Sequence, residues 1–122
     1  MLQEILSGSV KIISLDRKAL LDRLRVIARQ LCRAFPEIKD VRVFGSIARG
    51  DHVGTSDADV LVVLKEGGSA DPLERARAFY PYFDLPVGVD VLSCAEDELN
   101  CQLQAGNHFW TGVWASSRSL LE

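Results

Sequence analysis

Gly45-Ser46-Ile47-Ala48-Arg49-Gly50 is followed, after five residues, by Ser56-Asp57-Ala58-Asp59 and the apolar run Val60-Leu61-Val62-Val63-Leu64. Just upstream, Val41-Arg42-Val43-Phe44 alternates and enters the glycine-rich segment as a strand. The unit therefore predicts strand, turn and strand, the second strand opening on two carboxylates. Residues two apart on a strand share a face, so Asp57 and Asp59 project side by side. Two like charges held that close are unfavourable unless a positive group sits between them, and a hard divalent cation is the natural one. The turn, with its backbone N–H groups and the Ser46 hydroxyl, is a concavity suited to phosphate. Phosphate beside a divalent metal points to nucleotide chemistry. A Gly-Ser pair alone usually only makes a turn. The Ser-Asp-x-Asp strand beside it gives the pattern its specificity, because strands are depleted in Asp.

Upstream, Leu20, Leu21, Leu24, Ile27, Ala28, Leu31 and Phe35 recur at helical spacing, with Asp22, Arg23, Arg25 and Arg29 on other faces. This predicts an amphipathic helix of about 20 residues, capped by Ser14 or Asp16 and stopped before Pro36. Arg25, Arg29 and Arg33 read as its solvated face. Residues 1–14 stay unassigned except for a short strand at Val10–Ile13. Downstream, the run Asp59–Leu64 is almost continuously apolar, which places it at the centre of a sheet covered on both faces. Asp51 to Thr55 is loop and Gly67-Gly68-Ser69 a turn. Asp71 caps a helix with Pro72 at its first position, running to about Tyr80. Pro81 and Pro86 bracket a loop, and Val87, Val89 and Val91 alternate with Gly88, Asp90 and Leu92 as a third strand. Ser93-x-x-Glu96 reads as a capping box opening a helix to about Gln104, with Gly106 as its stop. Asn107 caps a last helix carrying Phe109, Trp110, Val113 and Trp114, whose two tryptophans read as core. The whole is one α/β (α+β) domain over residues 1–122, a small mixed sheet with flanking helices.

Composition agrees with that class. The chain has 122 residues, 48% of them hydrophobic and 25% charged, which is the balance of an ordinary globular domain. A net charge of −3 argues against a nucleic-acid-coating surface, so nucleic acid is not expected as a stable partner. No stretch approaches the roughly 20 apolar residues that span a bilayer, and the N-terminus lacks a signal-peptide pattern. Cytoplasmic residence is the expectation. Cys32, Cys94 and Cys101 form no Cys-x-x-Cys pair; Cys32 reads as a small core residue, and Cys94 and Cys101 as sharing a helix face. His52 and His108 lack a second ligand at metal spacing and read as structural or exposed.

Asp90 is the second chemical clue. It is a charge in an apolar strand, and if that strand lies beside Asp59–Leu64 the three aspartates Asp57, Asp59 and Asp90 form one cluster. Three oxygen ligands suit Mg²⁺ or Mn²⁺, and two ions could then act as a clamp on a triphosphate. Asp90 would lie nearest the attacking hydroxyl and could accept its proton. Ser46 and the N–H groups around Gly45 would hold the leaving phosphates. Arg49 is equally readable as a phosphate neutraliser or a solvated loop charge, and Ser56 as a nucleotide-binding residue or a turn former.

Gly-Ser-x-Ala-Arg-Gly, five residues, Ser-Asp-x-Asp and then a strand bearing a lone Asp together resemble the nucleotidyltransferase superfamily that includes DNA polymerase β. The length and the Ala-Arg-Gly extension most resemble its minimal bacterial and archaeal members, over roughly residues 20 to 122. The resemblance implies that Gly45 and Ser46 grip the triphosphate, that Asp57 and Asp59 bind both metals, and that Asp90 completes the site. Ala58 departs mildly from the family, which commonly has a larger apolar residue there. The resemblance further implies transfer of an NMP, AMP by preference, from an NTP such as ATP to a hydroxyl. Minimal members are often paired with a helical HEPN-domain partner, in some pairs a toxic ribonuclease that the transferase neutralises by AMPylation. Two other readings compete. One is a module that blocks a partner sterically. The other is an antibiotic nucleotidyltransferase, for which a homodimer would have to supply a shared acceptor cleft.

Overall fold

The computed structural model describes residues 2–7, 10–15, 17–50, 57–66 and 71–122. In chain order the elements are β1 (Leu2–Ser7), β2 (Val10–Leu15), α1 (Arg17–Ala34), β3 (Ile38–Phe44), α2 (Gly45–Arg49) and β4 (Ala58–Leu64). There follow α3 (Pro72–Phe79), a 3₁₀ turn (Tyr80–Tyr82), β5 (Val89–Ala95), α4 (Glu96–Gln104), α5 (His108–Ser116) and β6 (Arg118–Ser119). The expected cap Asp16, the loop with His52, Ser56 and the turn Gly67–Ser69 lie outside the described residues.

The predicted helix is α1, and its buried stripe is the predicted one: Leu20, Leu21, Leu24, Ile27, Ala28 and Leu31. Arg29 and Arg33 on the opposite face are exposed. Burying each large apolar side chain of that stripe contributes about 1.5–3 kcal/mol, so packing, more than propensity, holds the helix. Phe35, just past its end, meets the Phe79 and Tyr82 rings edge-on at 5.0 and 5.7 Å.

The main sheet is mixed, in the order β5-β4-β3-β6. β4 runs antiparallel to β3 and parallel to β5, and β6 runs antiparallel to β3. As its continuous apolar run requires, β4 is covered on both faces. Val60, Val62 and Leu64 join α1 and Phe79 in the larger core cluster. Leu61 and Val63 point the other way, into a smaller cluster with Cys94, Leu99 and Val113.

Several boundaries differ from the sequence reading. Val10–Ile13 belongs to β2, which pairs antiparallel with β1, and Ser14 sits in that strand. β5 continues through Ser93 and Cys94 to Ala95, because each of these pairs with the buried end of β4. Ser93 is therefore a buried strand residue, and the Glu98 carboxylate reaches back to accept the Ala95 N–H at 2.8 Å. Cys94, in the strand, shares no helix face with Cys101. Its thiol is pushed up to about 11, chiefly by burial and then by the Glu98 charge.

The two expected helix caps elsewhere are in place. Asp71 accepts from Leu73 N at 3.5 Å, and Asn107 Oδ1 accepts from Trp110 N at 3.2 Å. On α5 only Val113 is buried. Trp110 packs partly against the smaller cluster, while Trp114 is 38% exposed, beneath the Arg42 guanidinium at 4.2 Å. A nine-residue helix with one buried position has no room for two core tryptophans.

Candidate active site

The parallel register of β4 and β5 pairs Asp59 with Asp90. In-register residues of neighbouring strands share a face, so the two carboxylates stand side by side at the N-terminal ends of both strands. Asp57, immediately before β4, lies over Gly88: a Cβ on that glycine would sit 2.5 Å from Asp57 Oδ1. Ala58 N donates to Gly88 O at 2.9 Å, which extends the ladder to this point. Asp57 and Asp90 are exposed and Asp59 half-buried, so the carboxylates line an open sheet end. Cavities of about 150, 290 and 310 Å³ lie elsewhere.

The expected glycine turn is a single helical turn, α2, entered at once from β3. Gly45 has φ +72°, and a side chain there would collide with Asp59 Oδ2. Only glycine allows both the left-handed backbone and this close approach. Gly50 closes the turn at φ +83°, donating its N–H to Ser46 O at 2.9 Å. The structure thus brings Gly45, Asp57, Asp59 and Asp90 together. Ser46 and Arg49 lie on the adjoining turn, and Ser56 is outside the described residues.

Electrostatics records the crowding. The Asp59 carboxyl is held above the usual aspartate range, first by burial, then by the charges of Asp90 and Asp57, while Arg49 opposes the shift. Among the described residues no three His, Cys, Asp or Glu side chains converge tightly enough to chelate an ion as they stand. The donor chemistry nevertheless fits a hard divalent cation: three carboxylates, two exposed, whose mutual repulsion a cation would relieve.

Sequence reasoning missed three residues. Gly88 could have been found as the empty position two before Asp90. Arg17 and Ser116, which bond the backbone of α2, gave no local signal. The described helices include none long and apolar enough to cross a membrane.

Residues 24–107 match the nucleotidyltransferase domain family. No curated protein matches the chain. A similar solved structure is that of a provisionally assigned nucleotidyltransferase from Sulfolobus solfataricus, 28% identical, covering 70% of this chain and 75% of its own, with a TM-score of 0.59. A chain of a toxin-antitoxin complex with AMP-PNP is 18% identical over 87% of this chain and 73% of its own; its TM-score of 0.46 is too low to support any inference. The matched segment runs from within α1 to the start of α5 and contains Gly45, Ser46 and all three aspartates. The chain belongs to the nucleotidyltransferase domain family.

Proposed function

We propose that this nucleotidyltransferase moves an NMP, AMP by preference, from an NTP to a hydroxyl acceptor with release of pyrophosphate. The observation that carries the reading is the register that pairs Asp59 with Asp90 beside Asp57 and against the Gly45 backbone. Like charges in register on neighbouring strands oppose folding, and a fold keeps them where they serve chemistry.

In this reading Asp57 and Asp59 would hold two Mg²⁺ or Mn²⁺ ions beside the triphosphate, and Asp90 would complete the site. Such cations, when bound, would neutralise phosphate charge and lower the pKa of the attacking hydroxyl. Asp90 orients that hydroxyl and accepts its proton. Gly45 and Ser46 hold the leaving phosphates, with Arg49 and Ser56 as further nucleotide contacts. The exposure of Asp57 and Asp90 supports a macromolecular acceptor, such as a protein hydroxyl. The partner we favour is a HEPN-type helical protein neutralised by AMPylation, on the resemblance to minimal transferases.

The test incubates purified protein with α-³²P-labelled ATP, Mg²⁺ or Mn²⁺ and a lysate of the source cells, beside Asp57→Asn/Asp59→Asn. Label on a macromolecule only with intact aspartates is the expected result, and the labelled species is the acceptor. No label, together with no metal-dependent NTP binding, overturns the reading. A steric partner-binding role is the second reading, favoured by the exposure of Phe109 (57%) and Trp114 (38%) on α5. A binder of that kind keeps its biological effect when Asp57 and Asp59 are neutralised.

A further inference from the structure

The helical turn α2 is too short to hold itself. In five residues most backbone N–H and C=O groups are end groups without a partner inside the helix. Two distant elements supply partners. Arg17 Nε donates to Ile47 O at 2.8 Å, and Arg17 Nη2 donates to Ala48 O at 3.2 Å. At the other end, Gly45 N donates to Ser116 Oγ at 3.5 Å, and that hydroxyl donates to Val113 O at 3.3 Å. A Cβ built on Gly50 would lie 3.6 Å from Arg17 Nε, so the same guanidinium flanks the end of the turn. Arg17 and Ser116 both lie outside the family-matched residues 24–107.

Arg17 also stands at the wrong end of its own helix. The first turn of α1 has no acidic residue, and a cation there opposes the helix dipole. Among the described residues its hydrogen bonds go to α2, where its donors meet carbonyls at a helix C-terminus.

We propose that Arg17 is a positioning residue for nucleotide binding. By fixing the carbonyl end of α2 it sets where the Gly45 and Ser46 backbone meets the triphosphate. Ser116 pins the opposite end more weakly, through one long bond. Arg17 acts through α2 and does not itself touch nucleotide. The inference rests on the reading of Gly45–Ser46 as the triphosphate grip.

Calorimetric titration with a non-hydrolysable ATP analogue and Mg²⁺, on wild type, Arg17→Gln, Arg17→Lys and Ser116→Ala, tests it. Melting temperatures are measured on the same samples. Arg17→Gln should weaken the analogue's Kd about tenfold, Arg17→Lys should recover most of the loss, and Ser116→Ala should weaken it about threefold. Equal Kd in wild type and Arg17→Gln overturns the proposal. So does a fall in melting temperature with Kd unchanged, which would make Arg17 merely structural. If Arg17→Gln does not fold, Arg17→Met, which keeps the stem and removes both donors, decides: a Kd unchanged from wild type also overturns it. Wild type that binds no analogue overturns the underlying reading of the turn, a result distinct from all of these.

Discussion

One face of the β4–β5 pair changes character along its length. Asp59 faces Asp90 at the start, Leu61 faces Leu92 in the middle, and Val63 faces Cys94 near the end. Geometry is the same at each step, since parallel register puts each pair side by side. At the far end the pair closes against Leu99 and Val113 in the smaller core cluster. At the near end it sets two carboxylates beside each other, with a third over Gly88 and the Gly45 backbone pressed close. The far end is built for stability and the near end gives stability up. What the near end gains is a concentration of negative charge at an open sheet end, which in the proposed function receives a metal-bound triphosphate.

Substitutions at the two ends should therefore act oppositely. The largest expected effect is at the near end: Asp59→Asn should lower nucleotidyl transfer by about 10³-fold or more while leaving the melting temperature equal or higher. Parallel activity and melting measurements check both halves of that statement. At the far end, Leu61→Ala should cost about 2–5 kcal/mol in denaturant unfolding, because Leu61 is fully buried. Transfer by the fraction that remains folded should be little changed.

Gly88→Ala sharpens the comparison, because it touches the near end without altering a charge. The new methyl would meet Asp57 Oδ1 at 2.5 Å, so the carboxylate must move. Steady-state kinetics should show a loss of about tenfold in kcat/KM, with unfolding free energy changed by less than about 1 kcal/mol. Equal kinetics for wild type and variant would place Asp57 outside the reacting geometry.

The smallest effect is beyond the far end of β5. Glu98 accepts the Ala95 N–H and is paired with Arg75, and these bonds hold its carboxyl below the usual glutamate range, the backbone bond most strongly. Glu98→Ala should cost about 0.5 kcal/mol at neutral pH, the lower end for a cap because the side chain is half exposed. A lowered folded-state pKa stabilises above the unfolded value and is lost as pH falls through the folded one. The gap between wild type and variant should thus close on acidification below about pH 4.3. A gap independent of pH would assign the effect to lost packing.

Much of this was readable in the chain, for physical reasons. The α1 stripe was legible because one face of a long helix is buried, and β4 because both of its faces are. Asp57, Asp59 and Asp90 stood out because charges rarely open or interrupt apolar strands. The failures are non-local. Ser93 looks like a cap until β4 is seen pairing with it, and Trp114 looks like core until Arg42 arrives from β3 to cover its ring. β6 is only two residues long, tied down by Leu120 N donating to Val41 O at 2.8 Å and by Ser119 Oγ donating to Asp40 at 2.7 Å. β1 gave no alternation clear enough to pair it with β2. Arg17 carried no signal because its partners, the Ile47 and Ala48 carbonyls, lie about 30 residues away and only the fold brings them near.

The central claim is that the near end of β4–β5 is held at a cost to folding so that it can bind a metal-bound triphosphate. Melting wild type and Asp59→Asn with and without Mg²⁺ and a non-hydrolysable ATP analogue tests it most directly. Without ligand the variant should melt as high as wild type or higher; with ligand only wild type should rise. An equal rise in both proteins, or a variant that melts well below wild type in the absence of ligand, would contradict the account.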